Sequence, residues 1–161
     1  MKFEKTILVK DKIRLRKPEK EEWKKAIPWY SDREVMLMSE GISEGNYKIQ
    51  DINRMDEYLD KVGELYFIEI LESNSEWKAI GDATFSETSL PIVIGEEKYR
   101  GKGIGKDIIT KFIEIARKME IKELNVKEIY HNNMRSQRLF KGLGFEELER
   151  NEKGSSYKLV L

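Results

Sequence analysis

A glycine-rich loop offers the clearest chemistry in the sequence. Residues 100–106 read Arg-Gly-Lys-Gly-Ile-Gly-Lys and lie between a predicted strand and the most strongly patterned helix. Glycines allow consecutive backbone N–H groups to point into one concavity, and the start of a helix adds partial positive charge. Arg100, Lys102 and Lys106 add full charges. The loop therefore has the composition of a cradle for a pyrophosphate group.

The spacing of these glycines does not fit two well-known nucleotide loops. A P-loop needs four residues between its glycines and a Lys followed by Ser or Thr, but three residues separate Gly101 from Gly105, and Asp107 follows Lys106. A dinucleotide loop needs G-x-G-x-x-G near the start of a β-α-β unit, whereas this loop runs G-x-G-x-G after several strands. The alternative to a phosphate-binding loop is a tight turn that joins a strand to a helix and has no binding function.

Glu128 is the carboxylate whose position favours acid–base chemistry. In the predicted strand 124–130, Leu124, Val126, Glu128 and Tyr130 share one face because side chains alternate. Leu124 and Val126 fit a core, so we expect Glu128 to be partly buried near the end of the strand. Burial raises the pKa of a carboxyl group, which suits a base that takes a proton from an ammonium group. A rim glutamate paired with a surface lysine is the alternative. Asp82 and Glu87, beside another strand, are further candidates.

The overall composition excludes several classes of protein. The 161 residues include 30 Lys plus Arg and 30 Asp plus Glu, so the net charge is zero and a generally basic nucleic-acid binder is excluded. There is no cysteine, which removes disulfides, thiolate metal sites and a cysteine nucleophile. No apolar run approaches the ~18 residues of a membrane span, and residues 1–12 lack the apolar core of a signal peptide. We therefore expect a cytoplasmic protein without a metal or a membrane partner.

Periodicity predicts one domain, residues 1–161, in which strands and helices are mixed. The predicted strands are 6–16 (one or two), 65–71, 77–85, 90–95, 124–130, 145–149 and 157–161. The predicted helices begin at Glu19, Ser31 (through Met38), Asp51, the glycine loop and Asn133, and Gly144 ends the last of them. The order indicates an α/β or α+β fold with a single mixed, mostly antiparallel sheet flanked by helices.

Two segments resemble the GNAT superfamily of N-acetyltransferases. The pattern R-x-x-G-x-G, which is Arg100, Gly103 and Gly105, resembles the acetyl-CoA loop of that family. Residues 133–145, an Asn that opens a helix ending in Leu-Gly-Phe, resemble its later motif. Residues 13–38 resemble the opening of the branch that acetylates ribosomal-protein N-termini, polyamines and aminoglycosides. The resemblance implies a sheet with a splayed centre and transfer of acetyl from acetyl-CoA directly to a primary amine in a ternary complex. An acyl-CoA-binding module without turnover is the alternative, and a homodimer is left open.

The resemblance also assigns residues. The cofactor-binding positions that it implies are Val93, Ile94, Gly95, Arg100, Gly101, Lys102, Gly103, Ile104, Gly105, Lys106, Asn133 and Phe140. The resemblance implies that Glu128, five residues before Asn133, is the catalytic base. Tyr130 is the candidate proton donor. Many members have a Tyr where Phe140 stands, and Phe140 cannot protonate a thiolate. Residues of the implied acceptor wall are Trp29, Tyr30, Met36 and Met38, and Glu40 and Glu44 would suit a cationic acceptor.

Overall fold

The computed structural model describes residues 3–32, 35 and 49–161. Along these residues, groups of consecutive strands are separated by helical segments. The strands are β1 (Thr6–Lys10), β2 (Ile13–Arg16), β3 (Glu64–Leu71), β4 (Trp77–Phe85), β5 (Ile92–Ile94), β6 (Glu123–Tyr130), β7 (Glu146–Arg150) and β8 (Gly154–Val160). The α-helices are α1 (Ile27–Tyr30), α2 (Ile49–Val62), α3 (Ile104–Lys118) and α4 (Met134–Gly142), and short 3-10 helices cover Lys20–Ala26 and Glu97–Tyr99.

The strands form two antiparallel sheets that separate between β5 and β6. The first sheet has the order β1-β2-β3-β4-β5 and the second the order β6-β8-β7. Asn125 of β6 bridges them, because its backbone N–H and its side-chain Nδ2 both donate to the carbonyl oxygen of Glu87, at 2.9 and 3.2 Å. The splayed centre expected for the sheet is this separation, and it leaves β5 at the edge of the first sheet.

The main core joins both sheets to helix α3. Ile108, Ile109 and Phe112 of α3 are fully buried, together with residues of both sheets such as Ile68 and Leu124. These helix residues recur at the spacing of one helical face, which is why this segment folds as a helix against a sheet. The core thus fixes the start of α3 beside the point where the sheets part.

A second apolar cluster covers the opposite face of the five-stranded sheet. It contains Trp23 of the first 3-10 helix, Trp29 of α1, Ile52 of α2, and Phe67 and Val93 of the sheet. Alternation along a strand sends neighbouring side chains to opposite faces, so β3 contributes to both clusters. This second cluster, which we call the α2-side cluster, borders the candidate site described below.

The predicted elements other than the helix from Ser31 to Met38 are confirmed, with differences of a few residues at their ends and with a 3-10 helix where the first helix was expected. Gly144 adopts a φ of 97° just after α4, as expected of a C-cap glycine. Ser31, expected to begin a helix, instead lies at the C-terminal end of α1, where its N–H and Oγ both donate to the carbonyl of Ile27. Most of that predicted helix, the acceptor-wall residues Met36 and Met38, and the two loop acids Glu40 and Glu44 lie outside the described residues. No helix within the described ranges is both long and apolar enough to cross a lipid bilayer.

Candidate active site

A cleft of about 430 Å³ opens where the two sheets separate. Its walls come from β5, the loop before α3, and the first turns of α3 and α4. The residues that line it are Val35, Ile92, Val93, Ile94, Tyr99, Arg100, Gly101, Gly103, Ile104, Gly105, Lys106, Asn133, Arg135, Ser136, Arg138 and Leu139. The cleft therefore brings together the predicted cofactor residues, with the exception of Gly95, Lys102 and Phe140.

The glycine loop has a backbone that suits an anion. Gly101 and Gly103 have φ values of 71° and 82°, in the left-handed region that glycine adopts without strain. Gly103 is also the residue that precedes the first turn of α3, and the N–H groups of a first helical turn have no acceptor within the helix. A Cβ atom at Gly101 or Gly103 would meet nothing within 4 Å. Open space, amide donors and the exposed side chains of Lys102 and Lys106 fit a pyrophosphate group.

The edge of β5 defines which backbone groups can face a ligand. The N–H of Gly95 donates to the carbonyl of Ile80 at 2.7 Å, and Val93 pairs with β4 in register. Residues of an antiparallel strand alternate between facing the partner strand and facing away, so Ile92 and Ile94 turn their backbone groups toward the cleft. Of the three residues predicted to pair with a pantetheine arm, Ile94 therefore has the right orientation, and Ile92 joins it.

Gly95 has a packing role that explains its residue type. A Cβ atom at this position would overlap the ring of Trp29. Trp29 is buried in the α2-side cluster and contacts Phe67 edge-on, with ring centroids 5.2 Å apart. The sequence expectation of a close approach at Gly95 is met, and the approaching group is this indole ring.

Arg100 lies along the cleft, but its guanidinium is directed to protein groups. Its side chain is only 7% exposed. Nε donates to the carbonyl of Ile94 at 2.8 Å, and Nη2 donates to the carbonyl of Gly95 at 3.1 Å and to Asp32 Oδ2 at 3.3 Å. The carbonyls at the end of β5 and the carboxylate after α1 thus hold this charge at the cleft wall, and contact of Arg100 with a phosphate stays a prediction.

Helix α4 contributes its first turns to the cleft, while its last turn belongs to the core. Asn133 caps the helix, its Oδ1 accepting from the N–H of Ser136 at 3.1 Å, and it also lines the cleft. Phe140 is 2% exposed and packs edge-on against Phe145, with centroids 5.1 Å apart. The structure therefore places Phe140 in the core, and Leu139 takes the position on the cleft wall.

Glu128 is not buried, so that expectation is wrong. Strand β6 shifts register between Val126 and Ile129, and both of these residues are buried. The extra residue of this bulge places Glu128 on the exposed side. Its carboxylate accepts a hydrogen bond from Asn151 Nδ2 at 3.1 Å. Tyr130 is half-buried at the end of the strand, and neither residue lines the cleft.

Asp82 is a buried carboxylate near the cleft, although it does not itself line it. It is 1% exposed, and the hydroxyl of Tyr30 donates to both of its oxygens, at 3.0 and 3.2 Å. Asp82 pairs in register with Val93, which lines the cleft, and side chains directly opposite on antiparallel strands have Cβ atoms about 5 Å apart. Asp82 is thus one strand away from the open edge of β5.

A second buried acid, Asp56, escaped the sequence analysis. It is 0% exposed on α2, and burial, reinforced by the negative charges of Asp82 and then Asp60, raises the pKa of Asp56 to about 8. The signal was present in the sequence, because Asp56 lies four residues after Ile52 and three before Leu59, on the apolar stripe of the helix. An acid on such a stripe is a candidate for function. No group of three metal-ligating side chains occurs within the described part of the chain.

Known structures share this architecture. A domain from Methanocaldococcus jannaschii superposes with a TM-score of 0.81 at 21% identity, covering 93% of this chain and 99% of that one. The microcin C7 self-immunity acetyltransferase MccE, solved with acetyl-CoA and AMP, gives 0.70 at 17% identity with 95% and 94% covered. The aminoglycoside acetyltransferase AAC(6')-Ib with coenzyme A gives 0.71 at 14% identity with 92% and 94% covered.

The sequence itself matches a family model over most of its length. No protein of curated function matches the sequence. Residues 12–146 match the model described as Acetyltransferase (GNAT) domain, a range that contains the glycine loop, β5, Asp82 and the start of α4. The cleft, its anion cradle and this match agree with one another, and the chain belongs to the GNAT acetyltransferase family.

Proposed function

We propose that this protein is an N-acetyltransferase that moves an acetyl group from acetyl-CoA to a primary amine. The observation that carries the proposal is the arrangement of the cleft. An anion cradle lies at one end, the open edge of β5 forms one wall, and the buried carboxylate of Asp82 is one strand away. The same architecture holds acetyl-CoA in MccE and coenzyme A in AAC(6')-Ib.

The geometry supports one orientation for acetyl-CoA. The pyrophosphate lies against the amides of residues 101–106, and the pantetheine arm runs along β5, where Ile92 and Ile94 offer backbone groups. Asn133 borders the arm from α4 while it caps that helix. Arg100 keeps the end of β5 in place through the carbonyls of Ile94 and Gly95.

Asp82 is the base that the structure favours. A base must remove a proton from the acceptor's ammonium group before the nitrogen can attack, directly or through a water. Asp82 is buried beside Val93, whereas Glu128 is exposed and bound by Asn151. Tyr30 holds the Asp82 carboxylate in a fixed orientation. Glu128 stays the alternative, and the two carboxylates can be separated by mutation.

The remaining steps need little from the protein beyond positioning. The neutral amine attacks the thioester carbonyl, whose oxygen accepts a hydrogen bond from a backbone N–H of β5, with Ile94 as the candidate. The C–S bond then breaks, and the new amide nitrogen gives up its second proton to solvent. The leaving thiolate takes one proton to give CoA, and a free thiol has a pKa of about 8.5, so assistance is modest. Tyr130 is the proposed donor. Its carbonyl accepts from the N–H of Asn133 at 2.9 Å, which places Tyr130 next to a residue of the cleft.

The alternative of a binding module without turnover loses its support. That alternative rested on Phe140, which lacks the hydroxyl common in the family. Phe140 is buried against Phe145, so its lack of a hydroxyl says nothing about chemistry in the cleft. We further propose a cytoplasmic location, where acetyl-CoA and amine acceptors meet.

The test is release of CoA thiol together with detection of an acetylated product. The amines to be tested are a peptide that begins with serine, a linear polyamine and an aminoglycoside. Each is measured from about pH 6 to about pH 9, because amines lose their protons toward the upper end of this range. Acetylation of at least one class supports the proposal, and CoA binding without any acetylated amine contradicts it.

Two isosteric variants then assign the base. General-base catalysis contributes about 10²- to 10⁴-fold, so Asp82→Asn should lower kcat by that order at neutral pH. The loss should shrink at high pH, where the amine loses its proton unaided. Glu128→Gln, on the exposed side of β6, should keep most of the activity. The reverse pattern would return the assignment to Glu128.

A further inference from the structure

The charged side chains on the described walls of the cleft have a single sign. None of these wall residues is acidic, and the basic ones are Arg100, Lys106, Arg135 and Arg138. The whole chain, by contrast, has equal numbers of acidic and basic residues. Walls of one sign concentrate ligands of the opposite sign. The described part of the cleft is therefore suited to an anion that carries several charges.

Arg138 is exposed on α4, and no acid in the described part of the chain forms an ion pair with it. The acids of neighbouring elements have other partners. Asp107, in the first turn of α3, pairs with Lys10 at 3.0 Å. Glu147 of β7 pairs with Lys141, one turn after Arg138, at 4.0 Å. The guanidinium of Arg138 is thus a positive charge on the cleft wall that the described protein groups do not neutralise.

The position of Arg138 along the cleft follows from a contact between α4 and α3. Leu139 borders the first turn of α3, since a Cβ atom at Gly105 would lie 3.4 Å from its Cδ2 atom. Arg138 precedes Leu139 and lines the same cleft. Asn133, which caps α4, is five residues before Arg138, about 7.5 Å along the helix axis. Helix α4 therefore runs along the cleft toward the glycine loop, and Arg138 lies at the glycine-loop end.

Coenzyme A carries two kinds of phosphate. Its pyrophosphate links the pantetheine arm to a ribose, and a phosphate monoester is attached to the 3′-oxygen of that ribose. In the orientation proposed above, the amides of residues 101–106 hold the pyrophosphate, so the ribose lies beyond the loop, away from β5. A phosphate monoester carries up to about two negative charges at neutral pH. A guanidinium binds such a group through two parallel N–H···O bonds.

We propose that Arg138 binds the 3′-phosphate monoester of coenzyme A and thereby determines which acetyl donor the cleft accepts. Free CoA thioesters carry this group, whereas dephospho-CoA and a phosphopantetheine arm attached to a carrier protein lack it. The inference rests on the proposed function in one respect, since it takes acetyl-CoA to lie along β5 with its pyrophosphate at the glycine loop.

Lys106 provides a comparison that separates the two kinds of phosphate. It is exposed in the first turn of α3, beside the amides of the cradle. A positive charge there strengthens binding of the pyrophosphate, which CoA and dephospho-CoA share. Arg138 lies on the other helix and acts on the monoester, which only CoA carries. The two residues are therefore expected to affect the two ligands differently.

The test is calorimetric titration of the complete chain with CoA and with 3′-dephospho-CoA, which requires no turnover. Hydrogen bonds between charged groups are strong enough for the wild type to bind CoA about tenfold more tightly than dephospho-CoA. Arg138→Gln should abolish this preference and keep the wild-type affinity for dephospho-CoA. Arg138→Lys keeps the charge without the paired N–H geometry and should retain part of the preference. Equal weakening of both ligands by Arg138→Gln would overturn the proposal, because Arg138 would then act on the pyrophosphate.

Two further variants serve as controls. Lys106→Gln should weaken binding of CoA and dephospho-CoA by the same factor, so the preference for CoA stays at its wild-type value. Arg117→Gln removes an exposed positive charge about 16 Å further along α3 and should leave both affinities near the wild-type values. A wild-type protein that binds both ligands equally well overturns the subsite alone. A wild-type protein that binds neither ligand contradicts the proposed function as well.

Discussion

The buried acid Asp56 makes a quantitative prediction about stability. In the folded protein its pKa is about 8, against 3.8 for an ordinary aspartate. Between these values the unfolded chain has lost the proton and the folded chain retains it, so stability falls as pH rises. The contribution of the retained proton is fully present below pH 3.8 and is lost as pH approaches 8. The slope is about 1.4 kcal/mol per pH unit, or about 2.7 kcal/mol between pH 5 and pH 7.

Asp56→Asn removes this proton equilibrium and keeps the shape of the protonated acid. Urea unfolding at pH 5, 6, 7 and 8 should therefore show the variant gaining on the wild type by about 1.4 kcal/mol with each unit up to pH 7. The gain from pH 7 to pH 8 should be smaller, about 1 kcal/mol, because the wild type then approaches the folded pKa of about 8. Other ionisable groups are common to both proteins and cancel in the difference. Glu57→Gln, at the exposed neighbouring position of α2, should follow the wild-type slope. A difference between wild type and Asp56→Asn that stays constant from pH 5 to pH 8 would refute the reasoning, because Asp56 would then titrate as it does in the unfolded chain.

Other predictions follow from the placement of single residues. Phe140→Tyr buries a hydroxyl in the core, so urea unfolding should show that the free energy of unfolding falls by about 1–3 kcal/mol, while kcat stays unchanged. A variant with full stability and a higher kcat would instead indicate that residue 140 lies beside the leaving thiolate. Arg100→Ala should lower both the thermal stability of the ligand-free protein and its affinity for acetyl-CoA. Asp32→Asn should reproduce part of the loss of stability. If the ligand-free Arg100→Ala protein keeps its full stability, the guanidinium acts by binding phosphates instead. Acetyl-CoA at 100 times its Kd should stabilise the protein by about 2.7 kcal/mol. Gly103→Ala, at a left-handed φ beside the cradle, should lose much of this gain, whereas Gly142→Ala, in open space on α4, should keep it; equal gains would contradict the cradle.

Local patterns in the sequence were sufficient for most elements and for the backbone of the glycine loop, which we propose as an anion cradle. Each of these patterns involves residues only a few positions apart in the sequence: the alternation along strands, the apolar face of α3 and the glycines at helix ends. The glycine loop has the same local character, because its positive φ angles and the first turn of α3 follow from residues 101–106 themselves. These features could therefore be predicted without knowing what packs against them.

The proposal of Asp82 as the base could not be made from the sequence, since the surroundings of each carboxylate depend on contacts between distant segments. The bulge in β6 reflects pairing with β8 and turns Glu128 to the exposed side, although simple alternation places it inward. Asp82 gains its environment from Tyr30, which is 52 residues earlier in the sequence. Arg100 has the residue type of a phosphate ligand, and its contacts with the carbonyls of β5 and with Asp32 likewise join distant segments. Asp56 could have been noticed, because an acid interrupts an apolar helical stripe.

The central claim is that acetyl-CoA lies in the cleft between the sheets, along β5 and against the glycine loop. Amide hydrogen exchange with and without acetyl-CoA measures this directly at each backbone N–H. We predict slower exchange at Ile94 and at the loop amides of residues 101–106 when acetyl-CoA is bound, with little change at Gly95, whose N–H is already bound to Ile80. Binding of acetyl-CoA that leaves exchange at Ile94 and the loop unchanged would contradict the account.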